Sequence, residues 1–214
     1  MKNRFVAFTV FLLLLFAAAN TGFAQDVMLG PRITGNYNIY NEKNITLSYN
    51  GIGVGIGGTV DISFSKHIGI MANLTFFDMR NFSNSTTTGT QTKDRSFTFT
   101  YLTIDPMFKA EFSGFYMVLG PSLGIKLAAS GEETVSTTGV NNPQNQITPL
   151  DVNATSIVFD IATGVGYTFT LSQNSMYMGT DFMVYIPLSS TFNVPGLVNS
   201  EFTMKFGVTL KFKI

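Results

Sequence analysis

The stretch GIGVGIGGTV, Gly51 to Val60, decides how this chain is read. Within it, Gly53-Val54-Gly55-Ile56-Gly57-Gly58 fits the G-x-G-x-x-G template of a dinucleotide-binding loop, and Asp78 stands about where that template wants an acidic residue. The template also needs a helix after the glycines. Instead Ile52, Val54, Ile56, Val60, Ile62 and Phe64 alternate with Gly53, Gly55, Gly57, Thr59, Asp61 and Ser63. A repeat of two is the period of a strand. The glycines therefore line one face of a strand, and the dinucleotide reading fails with its missing helix.

The same alternation recurs in Leu29–Tyr40, Ile68–Arg80, Phe115–Ala129, Ile157–Thr170, Met176–Leu188 and Phe202–Ile214, with a less regular Phe97–Lys109. These make eight strands. The connections alternate too: long and polar at 41–50, 81–95, 130–152 and 189–200, short at 65–67, 111–114 and 172–175. Short turns at one end and long loops at the other are the pattern of an antiparallel outer-membrane barrel. The predicted fold is all-β: an eight-stranded antiparallel up-and-down transmembrane β-barrel. Its apolar face meets lipid, with Phe64, Phe76, Phe108, Phe115, Tyr167, Phe169, Phe202 and Phe212 near strand ends as interfacial girdles.

Composition agrees with an exported chain of one domain. Among 214 residues, 45% are hydrophobic and none is cysteine, which excludes disulfides, thiolate metal sites and a cysteine lipid anchor. Lys2 and Arg4, the apolar run Phe5–Ala19 and the small-residue exit Thr21-Gly22-Phe23-Ala24 read as a signal peptide over residues 1–24, cleaved after Ala24. Residues 25–214 are then the barrel domain. Cleavage removes two of the 13 Lys+Arg, leaving 11 against 13 Asp+Glu, or −2. A nucleic-acid partner, which wants a basic face, is not expected.

The segments Tyr101-Leu102-Thr103-Ile104-Asp105-Pro106-Met107-Phe108-Lys109 and Phe115-Tyr116-Met117-Val118-Leu119-Gly120-Pro121-Ser122-Leu123-Gly124 resemble the fourth and fifth strands of the PorT-like outer-membrane β-barrel family. Asp105 departs from that pattern, standing between the Ile and the Pro. Lys205-x-Gly207-x-x-Leu210-x-Phe212 is similar to the C-terminal signal read by the barrel-assembly machinery, ending two residues later, at Ile214. The resemblance implies integration in the bacterial outer membrane. It also implies a secretion apparatus as a candidate partner; outer-membrane lipid, the assembly machinery and an extracellular ligand of the long loops are the other expected partners, and the expected state is a monomer.

For chemistry the chain offers little. Its one histidine, His67, falls in the Ser65-Lys66-His67 turn, and no cluster has the ligand spacing of a metal site. No catalytic residue, cofactor or metal is expected. The inward face carries Arg32, Asp61, Asp105, Lys109, Lys126, Asp160, Asp181, Lys205 and Lys211. Eight strands enclose a space just wide enough for side chains to fill. The expectation is a lumen plugged by ion pairs, Arg32 with Asp61, Lys126 with Asp160 and Asp181 with Lys205, the glycines making room for Tyr116, Tyr177 and Tyr185. The alternatives are a narrow channel for small or hydrophobic solutes and a lipid-modifying barrel enzyme. The long loops, rich in Ser, Thr, Asn and Gly as in Ser83–Thr92, carry any surface-binding role.

Two local features yield further expectations. Phe97, Phe99 and Tyr101 are odd, whereas Leu102, Ile104 and Phe108 are even, so a β-bulge near Tyr101, or a strand that has already left the bilayer there, is predicted. Pro106 and Pro121, lacking an N–H, should interrupt the ladder between their strands.

Overall fold

The computed structural model describes residues 26–42, 48–137, 146–172, 175–192 and 199–214. The expected signal peptide lies outside them. The strands are β1 (Asp26–Glu42), β2 (Ser48–Ser63), β3 (Ile68–Thr88), β4 (Gln91–Phe112), β5 (Phe115–Thr137), β6 (Gln146–Leu150), β7 (Ile157–Ser172), β8 (Met176–Pro187) and β9 (Asn199–Lys213). Antiparallel pairing runs β1–β2–β3–β4–β5–β7–β8–β9 and closes from β9 back to β1. Eight strands thus form the ring, which leaves the wall without an open edge. The short β6 pairs with the extension of β5 alone.

Burial alternates along each wall strand in the sense opposite to a soluble protein. Ile52 and Phe108 are 73% exposed on the outside, whereas Asp61 and Asp78 are fully buried on the inside. Such a continuous apolar exterior requires lipid around it. The expected girdle residues Phe76, Phe108, Phe115, Tyr167, Phe169 and Phe212 are all exposed on this face.

The two ends of the barrel differ. At the turn end, where Asp26 and Lys213 lie, Ser113 and Gly114 connect Phe112 to Phe115 with φ of 52° and 85°. Positive φ at both central residues is the requirement of a type I′ hairpin turn. At the loop end, the expected connection 81–95 is itself a hairpin. β3 continues to Thr88, turns through Gly89-Thr90 and returns as β4 from Gln91. The expected loop 130–152 likewise contains the end of β5 and all of β6. β4 and β5 have 22 and 23 residues, about twice the 9–11 that a tilted spanning strand needs. Both faces of this ribbon meet water, so it lacks the apolar alternation that marks the wall.

Two bulges set the phase of the interior. In β3 the pairing steps from Thr75↔Thr103 to Asp78↔Tyr101, so Phe76 and Phe77 both face outward and Asp78 and Arg80 turn inward. In β5 it steps from Lys126↔Tyr101 to Ala128↔Thr100, with Leu127 extra. Both bulges sit beside Tyr101, as expected, but on the neighbours of β4. β4 itself keeps one phase, and Phe97, Phe99 and Tyr101 point into the barrel. The β4–β5 pairing also lapses from Ile104↔Leu123 to Phe108↔Leu119, across Pro106 and Pro121.

Candidate functional site: the lumen

Among the described residues, eleven charged side chains are buried in the lumen: Arg32, Arg80, Lys109, Lys205 and Lys211 against Asp61, Asp78, Asp105, Asp160, Asp181 and Glu201. Nine of them join ion pairs. Nearest the turn end, Asp61 accepts a hydrogen bond from Lys211 (2.7 Å) and forms an ion pair with Lys109 (2.6 Å), and Lys109 also meets Glu111 at 2.7 Å. One level further in, the Arg32 guanidinium grips Asp181 with two nitrogens, Nη2 lying 2.6 Å from Oδ1. A bidentate pair of this kind fixes orientation as well as charge. Beyond it, Asp78 holds Arg80 and Lys205, each at 2.8 Å, and Arg80 reaches on to Glu201 at 2.8 Å. Asn36 Nδ2 donates to Asp78 at 3.2 Å, so the carboxylate has a neutral donor as well. Aromatic rings stack beside these cations: Lys205 over Tyr185 at 4.4 Å and Arg80 over Tyr101 at 4.8 Å.

These pairings correct the expected ones. Asp61 lies opposite Met28 in the β1–β2 register, four residues from Arg32, and Arg32 reaches past β9 to Asp181 on β8. Lys205 goes to Asp78 rather than Asp181. Lys126 is only partly buried and donates to the Ala154 carbonyl at 2.5 Å, and Asp160 joins no ion pair among the described residues. Asp105 instead accepts from Ser122 Oγ at 2.6 Å and Tyr185 Oη at 2.8 Å. Strand registers alone suggested neighbours on one wall. A narrow barrel also brings together side chains from strands two or three places apart around the ring, and long Arg and Lys chains use that reach.

The glycines make room for different partners. A Cβ at Gly53 would come within 2.5 Å of Asn36 Oδ1, and one at Gly55 within 2.4 Å of Thr34 Oγ1. Tyr116 takes its space from Gly166, where a Cβ would meet its Cζ at 2.3 Å. Gly207, of the expected C-terminal signal, similarly leaves room for Arg32, with Nη2 at 2.2 Å from a built Cβ. Lys205 of that signal also faces inward, whereas Leu210 and Phe212 belong to the outward phase of β9.

Above the charged layers the lumen is aromatic. Tyr40, Tyr49, Phe82, Phe99 and Tyr101 form one buried cluster with Ala154 and Val158. Phe192 enters from the connection after β8 and meets Tyr40, Phe97 and Phe99 edge-to-face, with centroids 5.1 to 5.7 Å apart. Ala154 and Phe192 bridge the two connections that carry them, and Thr155 N donates to the Thr191 carbonyl. The sequence reading missed this cap, and it missed Asp78, Arg80 and Glu201. The doubled Phe76-Phe77 before Asp78-x-Arg80 was the available signal of the phase change.

No group of three His, Cys, Asp or Glu among the described residues is placed to hold a metal ion. His67 lies outside the lumen, stacked on Phe112 at 5.1 Å, with Nδ1 donating to the Glu111 carbonyl at 3.0 Å.

Among solved structures, the chain is similar to Ail, the attachment invasion locus protein of Yersinia pestis, at 13% identity over 88% of this chain and 100% of that chain, TM-score 0.41. It is similar to CarO2 of Acinetobacter baumannii at 9% identity over 89% and 100%, TM-score 0.44. It is also similar to the outer membrane protein AlkL in lipid bilayers at 12% identity over 91% and 93%, TM-score 0.45. No curated protein matches the chain. Residues 19–193 match the outer membrane protein beta-barrel domain, and the chain belongs to that family of integral bacterial outer-membrane proteins.

Proposed function

We propose that this protein is a non-enzymatic envelope barrel whose lumen is closed by its own side chains and whose loop end faces outward as a binding surface. The observation that carries the reading is the stacking of three paired-charge levels beneath an aromatic cap. Buried charges are costly unless paired and hydrogen-bonded, so a lumen organised this way favours one compact arrangement over a hydrated passage. The longer connections and the β3–β6 ribbon all leave the barrel at one end, and outer-membrane barrels place such extensions outside the cell. The motifs at Tyr101–Lys109 and Phe115–Gly124 support a PorT-like assignment, with a secretion-apparatus component or a surface ligand as the partner. A planar-bilayer recording of the purified protein tests the plug: no unitary current above the bare membrane is expected. Regular conductance steps would replace this reading with that of a narrow channel.

A further inference from the structure

Where the ring closes, three lumen side chains meet in an arrangement that charge pairing alone does not require. Asn36 on β1 and Lys205 on β9 are Cα partners across the seam between the first and last strands. Asp78 stands between their side-chain nitrogens: Oδ2 lies 2.8 Å from Lys205 Nζ and Oδ1 lies 3.2 Å from Asn36 Nδ2. The partners of the Asn36 amide fix which way it points, because Nδ2 also donates to the Met79 carbonyl at 3.0 Å while Oδ1 accepts from Asn38 Nδ2 at 2.7 Å. Asn36, Asn38, Asp78 and Lys205 are all buried. An amine, a carboxamide and a carboxylate that touches both are the two reactants and the proton carrier of an amide exchange.

We propose that Lys205 and Asn36 join covalently, Nζ replacing Nδ2 on Cγ with release of ammonia, so that an isopeptide bond ties β1 to β9. Burial penalises two ions that can neutralise each other by moving one proton, so Asp78 takes a proton from Nζ and frees its lone pair. The flexible lysine stem carries Nζ to Cγ. There the Asn38 amide, already bonded to Oδ1, stabilises the oxyanion as a preorganised donor. In the tetrahedral adduct Asp78 gives its proton to Nδ2 and takes a second one from Nζ; the Cγ–Nδ2 bond breaks and ammonia leaves. Nζ keeps one proton as a secondary amide, and Asp78 ends as a neutral acid. Lys205 and Asp78 thus lose their charges together, and Arg80 retains Glu201 at 2.8 Å as its counter-ion. The Tyr185 ring, 4.4 Å from Nζ, shields one side of the amine. Holding the groups together in one buried site supplies the proximity that a free lysine and asparagine lack. The bond is independent of whether the lumen conducts.

Mass spectrometry of the exported, purified barrel tests this. Denatured wild type should show a mass deficit against its sequence one ammonia larger than that of Lys205→Arg, a reference that shares every other processing step but has no primary amine to react. Digestion should release a branched peptide containing both Asn36 and Lys205, with fragmentation placing the link between their side chains. Asn36→Ala should show neither mark, and neither should Asp78→Asn where it folds; a branched peptide from Asp78→Asn would overturn the part given to Asp78. Wild type alone decides the rest. Linear peptides with unmodified Asn36 and Lys205, or loss of water through a bond between Lys205 and Asp78, would overturn the proposal.

Discussion

The charged levels of the lumen and the aromatic cap above them fill the same cylinder by different physics. In the charged part, nine of the eleven buried charges have named ionic partners, most of them on strands that are not neighbours in the wall: Arg32 with Asp181, Asp78 with Arg80 and Lys205, Asp61 with Lys109 and Lys211. In the cap, Phe99 touches Phe82, Tyr101 and Phe192 at centroid distances of 5.4 to 6.2 Å, and no single contact is indispensable. Paired charges specify one arrangement because a lost partner leaves a buried ion unsatisfied. Packed rings tolerate a shift, because dispersion attraction is spread over many weak contacts. The two regions should therefore respond differently to deletion of one member.

The largest effect is expected at Asp78, which holds two cations while itself fully buried. Asp78→Ala should destabilise the barrel by roughly 3–5 kcal/mol, the cost of breaking a buried pair by removing one partner. Urea unfolding in lipid bilayers measures it. Adding Lys205→Ala should recover part of the loss, since Arg80 keeps Glu201 and the orphaned lysine is gone. Strictly additive losses would mean that water already screens this level, and the contrast with the cap would collapse.

A smaller effect is expected in the cap. Phe99→Ala removes a buried ring and should cost about 3 kcal/mol, the low end for such a deletion, because the neighbouring rings can close on the space. Unlike Asp78→Ala, its loss should not be recovered by a second deletion at Phe82, since no charge is left stranded. If Phe82→Ala restored stability to the Phe99→Ala barrel, the cap would be as specific as the ion pairs beneath it.

How far the sequence disclosed these regions follows from the same physics. Repeats of two revealed the wall strands and their closure, because lipid on one side and a polar lumen on the other force alternation. That rule also identified Arg32, Asp61, Asp181, Lys205 and Lys211 as inward. It failed where a bulge shifts phase: Phe76 and Phe77 both face lipid, so Asp78 and Arg80 change sides with only the doubled phenylalanine to mark it. It failed again for Phe97, Phe99 and Tyr101, because alternation assigns apolar residues to lipid, whereas in the cap aromatic residues fill the inside. In the ribbon, Thr86, Thr92, Ser96, Thr134 and Ser136 sit in strands with water on both faces, so nothing in their polarity distinguishes a strand from a loop. Ion-pair partners were legible least of all. They depend on which strands come within reach once the ring has closed, a property of the barrel that no strand carries alone.

The smallest effect is expected outside the lumen, where the ribbon repeats the pairing chemistry in water. Arg95 and Glu133 are Cα partners on β4 and β5, and Arg95 Nε donates to Glu133 Oε2 at 2.5 Å. That hydrogen bond holds the Glu133 carboxyl below its ordinary pKa. A carboxyl lowered on folding contributes stability above its unfolded pKa and loses it as the pH falls through the folded value. The ribbon should therefore be ordered at neutral pH and loosen in acid, below the ordinary carboxylate range. Spin labels at Thr92 and Ser136, which are Cα partners further along the ribbon, report this as a broadening of their distance distribution. Lys93, Asp94 and Glu132 lie nearby and could titrate alongside, so Glu133→Gln is the control: it should give the broader distribution at every pH. Because both side chains are partly exposed, salt should weaken the contact as acid does. A wild type and a Glu133→Gln variant with the same pH profile would show that the ribbon is held by its backbone ladder alone, and that charge pairing orders this protein only in the lumen.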